Sequence, residues 1–586
     1  MRPRSEPRHG GDIIASVLSR WRVPYVFTLC GGHISPILVG AKDHGIKVID
    51  CRDERNAVFA ADAVARMTGI PGVAAVTAGP GVTNALTALK NAQLAQTPMV
   101  LFGGATATVL KGRGALQDID QTSLVKSAVK WMARCTMVSQ LEPTLERALN
   151  EAKSGVPGPV FIEVPVDVLY PEDTVRDMFM KESGAAKGET LSQKAIGLYL
   201  KGHLYRQFHM PYVDVKSKVD QVTSQLPSMS SDRDIDQVAA VLKKSERPAL
   251  VLGSQTMVNC EDPEPLARAV SALGIPVWLG GTSRGLLGRD SPIQFRHARG
   301  KALKEADTAI VCGFPFDFRM KYGLGFNRKG TLISANLSAR ELTKNRRPDY
   351  ALQMPAADFL IKLAQRGVSG NWGAWLEECK KREAARDAEI RSKAKATGPL
   401  VDPIQLFLRM EEKLADDSVL VVDGGDFVAT AAYILKPRKP LSWLDPGVFG
   451  TLGVGGGFAV GAAAVRKKAE VWIIYGDGSS AYSLNEFDTF VRHGMAPIAV
   501  VGTDASWGQI ARDQVTILGS DVGTTLIKTS YEKVAEGYGG VGLLLDDPKK
   551  IDWTLDEAKR LAHQGKPVCI NVHLQKTDFR EGSISI

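Results

Sequence analysis

Two aspartates in the last third of the chain carry the sharpest chemical signal. A strand-like run, VWIIY, ends in Gly476-Asp477-Gly478-Ser479, a helical stretch LNEFDTFVRHG follows, and a second strand-like run, IAVVG, ends in Thr503-Asp504-Ala505-Ser506. Strand, helix, strand is one βαβ unit. Asp477 and Asp504 therefore emerge at the carboxyl ends of two strands, on the sheet edge where open α/β folds bind ligands. Two carboxylates converging there, without His or Cys beside them, suit a hard, oxygen-seeking cation such as Mg²⁺. Gly476 and Gly478 let main-chain N–H groups approach an anion, and the helix N-terminus adds its positive dipole. The chemistry implied is a cation bridging the protein to a diphosphate. A bare Gly-Asp-Gly also makes ordinary turns; the second aspartate, 27 residues on, is what makes a site of it.

The elements that must position these groups fall into three blocks, giving an α/β fold class with three domains of parallel sheet flanked by helices. In residues 9–175, strand-like runs (YVFTLC, KVIDC, GVAAVTA, PMVLFGG, PVFIEVP) alternate with helical patterns. Residues 176–235 break the alternation and read as a charged linker. Inside it, LSQKAIGLYLKGHLYRQFHMPYV (191–213) is apolar and basic, and fits either a helix packed on the body or one lying in a membrane interface. A second α/β block spans 236–365, a polar helical connection 366–402, a third block 403–575, and a tail 576–586.

Composition narrows the class further. The chain has 586 residues, 44% hydrophobic and 23% charged, the balance of a globular protein of several domains. No apolar run reaches the ~18 residues of a spanning helix. The start, MRPRSEPRHGG, lacks the apolar core of a secretory signal, so a soluble, cytoplasmic chain is expected. Seven cysteines, an odd number with no CxxC, argue against a disulfide framework and a structural zinc site. The 73 basic and 64 acidic residues leave a net charge of +9, spread along the chain. That surplus suits an anionic small molecule, and no nucleic-acid motif accompanies it, so no nucleic-acid partner is expected.

These pieces together resemble the thiamine-diphosphate-dependent enzymes, in their acetohydroxyacid synthase branch. The stretch from Asp477 to Ser506 is similar to the family's metal signature. There the first aspartate, the last residue of the motif and a main-chain carbonyl two residues later hold the metal. The resemblance thus implies Asp477, Asp504 and Ser506 as Mg²⁺ ligands, with Thr503-Asp504 standing where two asparagines are usual. It implies Gly476, Gly478 and Ser479 beside the cofactor thiamine diphosphate. It also makes the three blocks a pyrimidine-binding, a central and a diphosphate-binding domain.

Further segments match. CRDERNAVFAADAVARMTG places Glu54 where the family has the glutamate that protonates the aminopyrimidine; on its own, an acid in a first helical turn only offsets the helix dipole. TAGPGVTNAL is similar to the family's Gly-Pro-Gly turn and implies Gly79 near the cofactor. GTLGVGGGFAVGAA implies Gly450 as acceptor for the 4′-amino group and Leu452 as the apolar prop, and DGGDFV puts Gly425, Asp426 and Phe427 at the diphosphate. The resemblance also implies sites shared across a homodimer, often paired into a homotetramer. Some relatives carry an N-terminal membrane anchor, which keeps peripheral contact with, or association to, the endoplasmic-reticulum membrane as the alternative location.

The choice of reaction turns on His33, in CGGHISP. Its loop faces the thiazolium in this family; benzaldehyde lyase has a histidine there and acetolactate synthases do not. A histidine can shuttle a proton near neutrality. Gln117, in GRGALQDID, matches a glutamine that reaches the site from the partner subunit, and Asp120 is a further candidate. The expectation is a carbon–carbon lyase. It would cleave a 2-hydroxyacyl-CoA to an aldehyde one carbon shorter and formyl-CoA, and would run in reverse as an acyloin condensation. The alternative is an acetolactate synthase-type carboligase acting on 2-keto acids. Arg284, Arg289 and Arg580 are candidates for contacts to the substrate's anionic end.

Overall fold

The computed structural model describes residues 9–187, 189–211, 230–395, 398–577 and 579–580. The chain divides into two compact units, one reaching to about residue 224 and one holding the rest together with residues 66–68.

The first unit is built on six strands: β1 Tyr25–Leu29, β2 Lys47–Asp50, β3 Gly72–Val76, β4 Met99–Ala105, β5 Trp131–Arg134 and β6 Pro159–Pro165. All pair in parallel, in the order β2-β1-β3-β4-β6-β5. Helices cover both faces, so β3, β4 and β6 are buried along their whole length and read as unbroken apolar runs rather than alternating ones. β1 and β3 are neighbours whose connections leave in opposite directions, and ligands of open parallel sheets bind at such a switch point. The stretch expected as a linker is substantially helical: Glu172–Glu182 runs into it and Leu191–His209 lies within it, while residues 212–229 are outside the described ones.

The second unit holds two sheets. The central one comprises β7 Pro248–Leu252, β8 Val277–Leu279, β9 Gln294–Phe295, β10 Thr308–Cys312, β11 Thr331–Asn336 and β12 Tyr350–Gln353, ordered β12-β11-β10-β7-β8-β9. Helix Gly373–Lys393 leads to the last sheet: β13 Val419–Val422, β14 Trp443–Leu444, β15 Val471–Gly476, β16 Ile498–Thr503, β17 Val541–Leu545 and β18 Val568–His573. Its order, β14-β13-β15-β16-β18-β17, repeats that of the first sheet strand for strand. Asp477 follows β15 and Asp504 follows β16, and the two strands pair in parallel register up to Gly476 and Gly502. Among the described residues no helix is long and apolar enough to cross a membrane.

Candidate active site

In the first unit the chemistry gathers where β1 to β4 end. Asp53 caps the Glu54–Thr68 helix, accepting from the Arg55 N–H at 2.8 Å and from its guanidinium at 2.9 and 2.8 Å. The dipole-compensating task thus falls to Asp53. Glu54, buried at 7% exposure, turns instead toward Asn84, whose Nδ2 donates to Glu54 Oε2 at 3.1 Å. Gly79 starts the next helix with φ 65°, a conformation that favours glycine. Its N–H donates to Gln121 Oε1 (2.8 Å), and Gln121 Nε2 donates to Gly104 O and Glu163 Oε2 (both 2.9 Å). Arg134 completes the network, 2.9 Å from Glu163. The sequence reading missed Gln121 and Glu163. The available signal was an acid inside the otherwise apolar strand PVFIEVP, which is tolerated in a core only if paired.

His33 follows β1, with Nδ1 3.2 Å from the Thr77 hydroxyl, just past β3. It therefore stands at the switch point. Two glycines make room for it: a Cβ at Gly31 would lie 2.4 Å from Thr77 Cβ, and one at Gly104 only 2.6 Å from His33 Cβ. Burial pushes the imidazole pKa below its ordinary value, leaving the ring neutral near pH 7. Gln117 sits at φ 62° in a loop laid against the Gly79 turn, where a glycine Cβ would come within 3.0 Å of Gln117 Cβ. Asp120 is a helix cap: it accepts from the Ser123 N–H and from the Ser123 and Thr122 hydroxyls, which draw its carboxyl down to about 2.

In the second unit, Asp477 Oδ1 accepts from the Gly478 N–H and Oδ2 from the Ala505 N–H, each at 2.8 Å, so one carboxylate ties the two strand ends together. Asp504 Oδ1 accepts from the Ser506 N–H at 3.1 Å, and the Ser506 hydroxyl donates to Thr524 O at 3.3 Å. Asp426 approaches the same place: a Cβ at Gly508 would lie 3.1 Å from Asp504 Oδ2 and 3.8 Å from Asp426 Oδ2. Burial, and then the charges of Asp477 and Asp426, push the Asp504 carboxyl up to about 7. Burial raises Asp477 as well. A cation held between these crowded carboxylates would favour their ionised forms, and this donor set fits Mg²⁺. Trp507 roofs the turn, its ring 2.5 Å from where a Gly478 Cβ would stand.

The glycine-rich helix Val454–Val465 is pinned by Asp423, which accepts from the Gly453 and Gly455 N–H groups at 2.9 and 2.7 Å. Full burial pushes its carboxyl up to about 7. Leu452 closes over Gly424, where a Cβ would lie 2.3 Å from its Cδ2. Gly450 and Gly425 hold φ of 64° and 109°. Ser479 is buried and bonds back to Gly476 O at 3.1 Å. At two of the expected diphosphate contacts the side chains turn elsewhere. Phe427 packs into the core, its ring 4.6 Å from that of Phe407 and beneath Gly502, so only its main chain is free for an anion. Asp426 is paired with Arg512 at 2.9 Å, with Arg580 Nε 4.0 Å away, which offsets its charge.

The arginine candidates separate. Arg284 lies 4.5 Å over the Trp443 ring, donates to Ala432 O at 3.2 Å, and lines a cavity of about 610 Å³. Arg299, Arg296, Lys436 and Tyr433 share that cavity. Among the described residues neither Arg284 nor Arg299 forms an ion pair, though Asp445 and Asp317 act on them from further off, and burial lowers both guanidinium pKa values. Arg289 lines a smaller neighbouring cavity and pairs with Asp290 at 2.9 Å. Arg580 stacks 5.3 Å from the Tyr433 ring; Asp578, in the same tail, is outside the described residues. His297, Glu383 and Asp387 cluster within metal-ligating reach of one another, but the Arg296 guanidinium already fills that place, 3.3 Å from Glu383 and 2.8 Å from Asp387.

Comparison with known proteins covers both units. Residues 8–124 match the thiamine pyrophosphate enzyme N-terminal TPP binding domain, 235–363 the central domain, and 423–572 the C-terminal TPP binding domain. The chain is similar to 2-hydroxyacyl-CoA lyase 2 of Danio rerio, 46% identical over 592 residues covering 100% of this chain and 94% of the relative. To the Homo sapiens protein of that name it is 44% identical, covering 100% and 93%. An acetolactate synthase large subunit of Mycobacterium tuberculosis is 31% identical over 97% of this chain and 96% of its own length. Three domains in family order, each on its own parallel sheet, make this chain a member of the thiamine pyrophosphate enzyme family.

Proposed function

We propose that the chain is a thiamine-diphosphate-dependent 2-hydroxyacyl-CoA lyase. The observation that carries the reading is His33, beside Thr77 at the β1–β3 switch point and kept neutral by burial, in a chain 43–46% identical to six 2-hydroxyacyl-CoA lyase 2 proteins over nearly its whole length. Bound thiamine diphosphate supplies an electron sink for cleavage of the bond beside a carbonyl.

The protein's own groups do the rest. Glu54, fixed by Asn84, holds the proton shared with the aminopyrimidine ring. In the tautomer with its proton on Nδ1, facing the Thr77 hydroxyl, His33 has the Nε2 lone pair to take the proton of the substrate's 2-hydroxyl. As the C1–C2 bond breaks, the hydroxyl carbon leaves as the aldehyde. The proton then returns to C1, so formyl-CoA and aldehyde account for every atom of the substrate. Asp477, Asp504 and the Ser506 carbonyl would hold Mg²⁺, and the N–H groups following Gly425 and Gly476 would receive the diphosphate. Gly450 and Leu452 take the pyrimidine and thiazolium contacts. Gln117 orients substrate, in a site completed across a homodimer or homotetramer. Arg284 and Arg299, half-buried and in no ion pair, receive CoA phosphates in the 610 Å³ cavity.

Incubation with a 2-hydroxyacyl-CoA and, separately, with pyruvate tests the reading. Equimolar aldehyde and formyl-CoA support it; acetolactate from pyruvate, with no CoA thioester consumed, replaces it with the carboligase. Arg284→Ala is expected to raise KM for the acyl-CoA about tenfold or more with little change in kcat.

A further inference from the structure

The Leu191–His209 helix carries two apolar stripes, and the body uses one of them. Along the inner stripe, Gly197, Leu200, Leu204 and Gln207 are buried, and Leu200 and Leu204 pack with Val175 and Phe179. The helix is firmly held. Thr190 and Gln193 cap it reciprocally, at 3.2 and 3.0 Å, and His203 Nε2 lies 2.8 Å from the Thr108 hydroxyl.

The outer stripe runs through Leu191, Ala195, Leu198, Gly202 and Tyr205, spacings of four and three that stay on one line of an α-helix. It is turned roughly 200° from the inner stripe, and all five residues are exposed. Leu191 is 86% exposed, Leu198 75% and Tyr205 62%. Lys194 and Lys201 flank this face on one side and Arg206 on the other, all exposed, and no acidic residue occurs between 190 and 211.

We propose that this outer face docks on an anionic lipid surface. The helix lies in the interfacial plane, with Leu191, Leu198 and Tyr205 at the headgroup–acyl boundary and the three cations on lipid phosphates. Charge decides between this and a second copy of the chain. Pairing two such faces would set cation against cation with no carboxylate on the helix to answer. Too polar to cross a bilayer, the helix lies on it. The inference does not rest on the reaction assigned above.

Flotation of the full-length protein with phosphatidylcholine vesicles containing about a third phosphatidylserine tests it, against pure phosphatidylcholine vesicles. The protein is expected to float with the anionic vesicles and to be released as salt rises toward ~0.5 M. Leu191→Glu/Leu198→Glu and, separately, Lys194→Glu/Lys201→Glu should each weaken binding about tenfold or more. Thermal midpoint, elution volume and turnover of a soluble short-chain substrate should stay unchanged. No flotation of the wild type, equal flotation of both variants, or salt-insensitive binding to the neutral vesicles overturns the proposal. So does an oligomer that dissociates in the leucine variant, which would give the face to a second copy.

Discussion

At the scale of single residues, two titrations follow from the site. His33 has a lowered pKa because it is buried, so its neutral, proton-accepting form persists below the pH at which an ordinary histidine charges. The profile of kcat/KM for cleavage should be flat through pH 7 and fall on the acid side below the ordinary histidine value of ~6.5. In His33→Ala that limb should vanish along with most of the rate; an unchanged limb would assign it to another group. Asp504 is displaced the other way. A carboxyl raised to about 7 stays protonated in the folded, metal-free protein through a pH range in which the unfolded chain has released its proton. Between the unfolded value near 4 and the folded value near 7, metal-free stability therefore falls as pH rises. Mg²⁺, which needs ionised ligands, relieves that cost. The rise in melting temperature on adding Mg²⁺ with thiamine diphosphate should be larger at pH 8 than at pH 6, and absent in Asp477→Ala. The Asp477/Asp504 pairing was legible in the sequence because a βαβ unit can only bring two such strand ends to one edge. The Gln121–Glu163–Arg134 network was not, since its members meet only through tertiary packing across β4 and β6.

At the scale of elements, the loops are placed by close approaches that leave no space for a side chain. Gly104→Ala would put a methyl 2.6 Å from His33 Cβ, so the loop after β1 must shift. Cleavage should slow by about tenfold or more while affinity for thiamine diphosphate, measured by calorimetry, is kept. Equal rates would mean that the position of His33 is not needed. Asp423→Ala leaves two buried N–H groups at the start of the Val454–Val465 helix without an acceptor, a loss of roughly 2–4 kcal/mol in chemical denaturation followed in the second unit. The sequence pointed to the neighbouring Gly425-Asp426-Phe427, and an acid beside a diphosphate already suggested a main-chain role for Asp426, but the buried place of Phe427 was not legible. A helix start offers main-chain N–H groups whatever its side chains do, and here Phe427 goes to the core while Asp426 pairs with Arg512. Within the stretch read as a linker, the helix at 191–213 was legible and stands at Leu191–His209, but the charged Glu172–Glu182 helix, with only Val175 and Phe179 buried, was not.

At the scale of the whole molecule, the first and last sheets share one strand order, so their switch points are equivalent. Their chemistry is divided between them. The first sheet presents a buried carboxylate and a neutral imidazole, groups that move protons. The last presents carboxylates and helix N-termini, groups suited to a cation and an anion. The central sheet differs in order, and with the last sheet it lines the cationic cavity. The similarity of the first and third blocks was visible as the same alternation of apolar runs and helical patterns. Their identical strand order was not, because pairing of non-consecutive strands leaves no local mark.

The central claim, that this fold cleaves a 2-hydroxyacyl-CoA with Glu54 and His33 handling the protons, is tested most directly by product analysis. The substrate is 2-hydroxyoctadecanoyl-CoA, with thiamine diphosphate and Mg²⁺, and wild type is compared with Glu54→Ala and His33→Ala. The account predicts equimolar aldehyde and formyl-CoA from the wild type, none from Glu54→Ala, and a rate lower by roughly 10²–10⁴ in His33→Ala with cofactor binding intact. Wild-type rates in His33→Ala, or acetolactate from pyruvate without any cleavage, would contradict it.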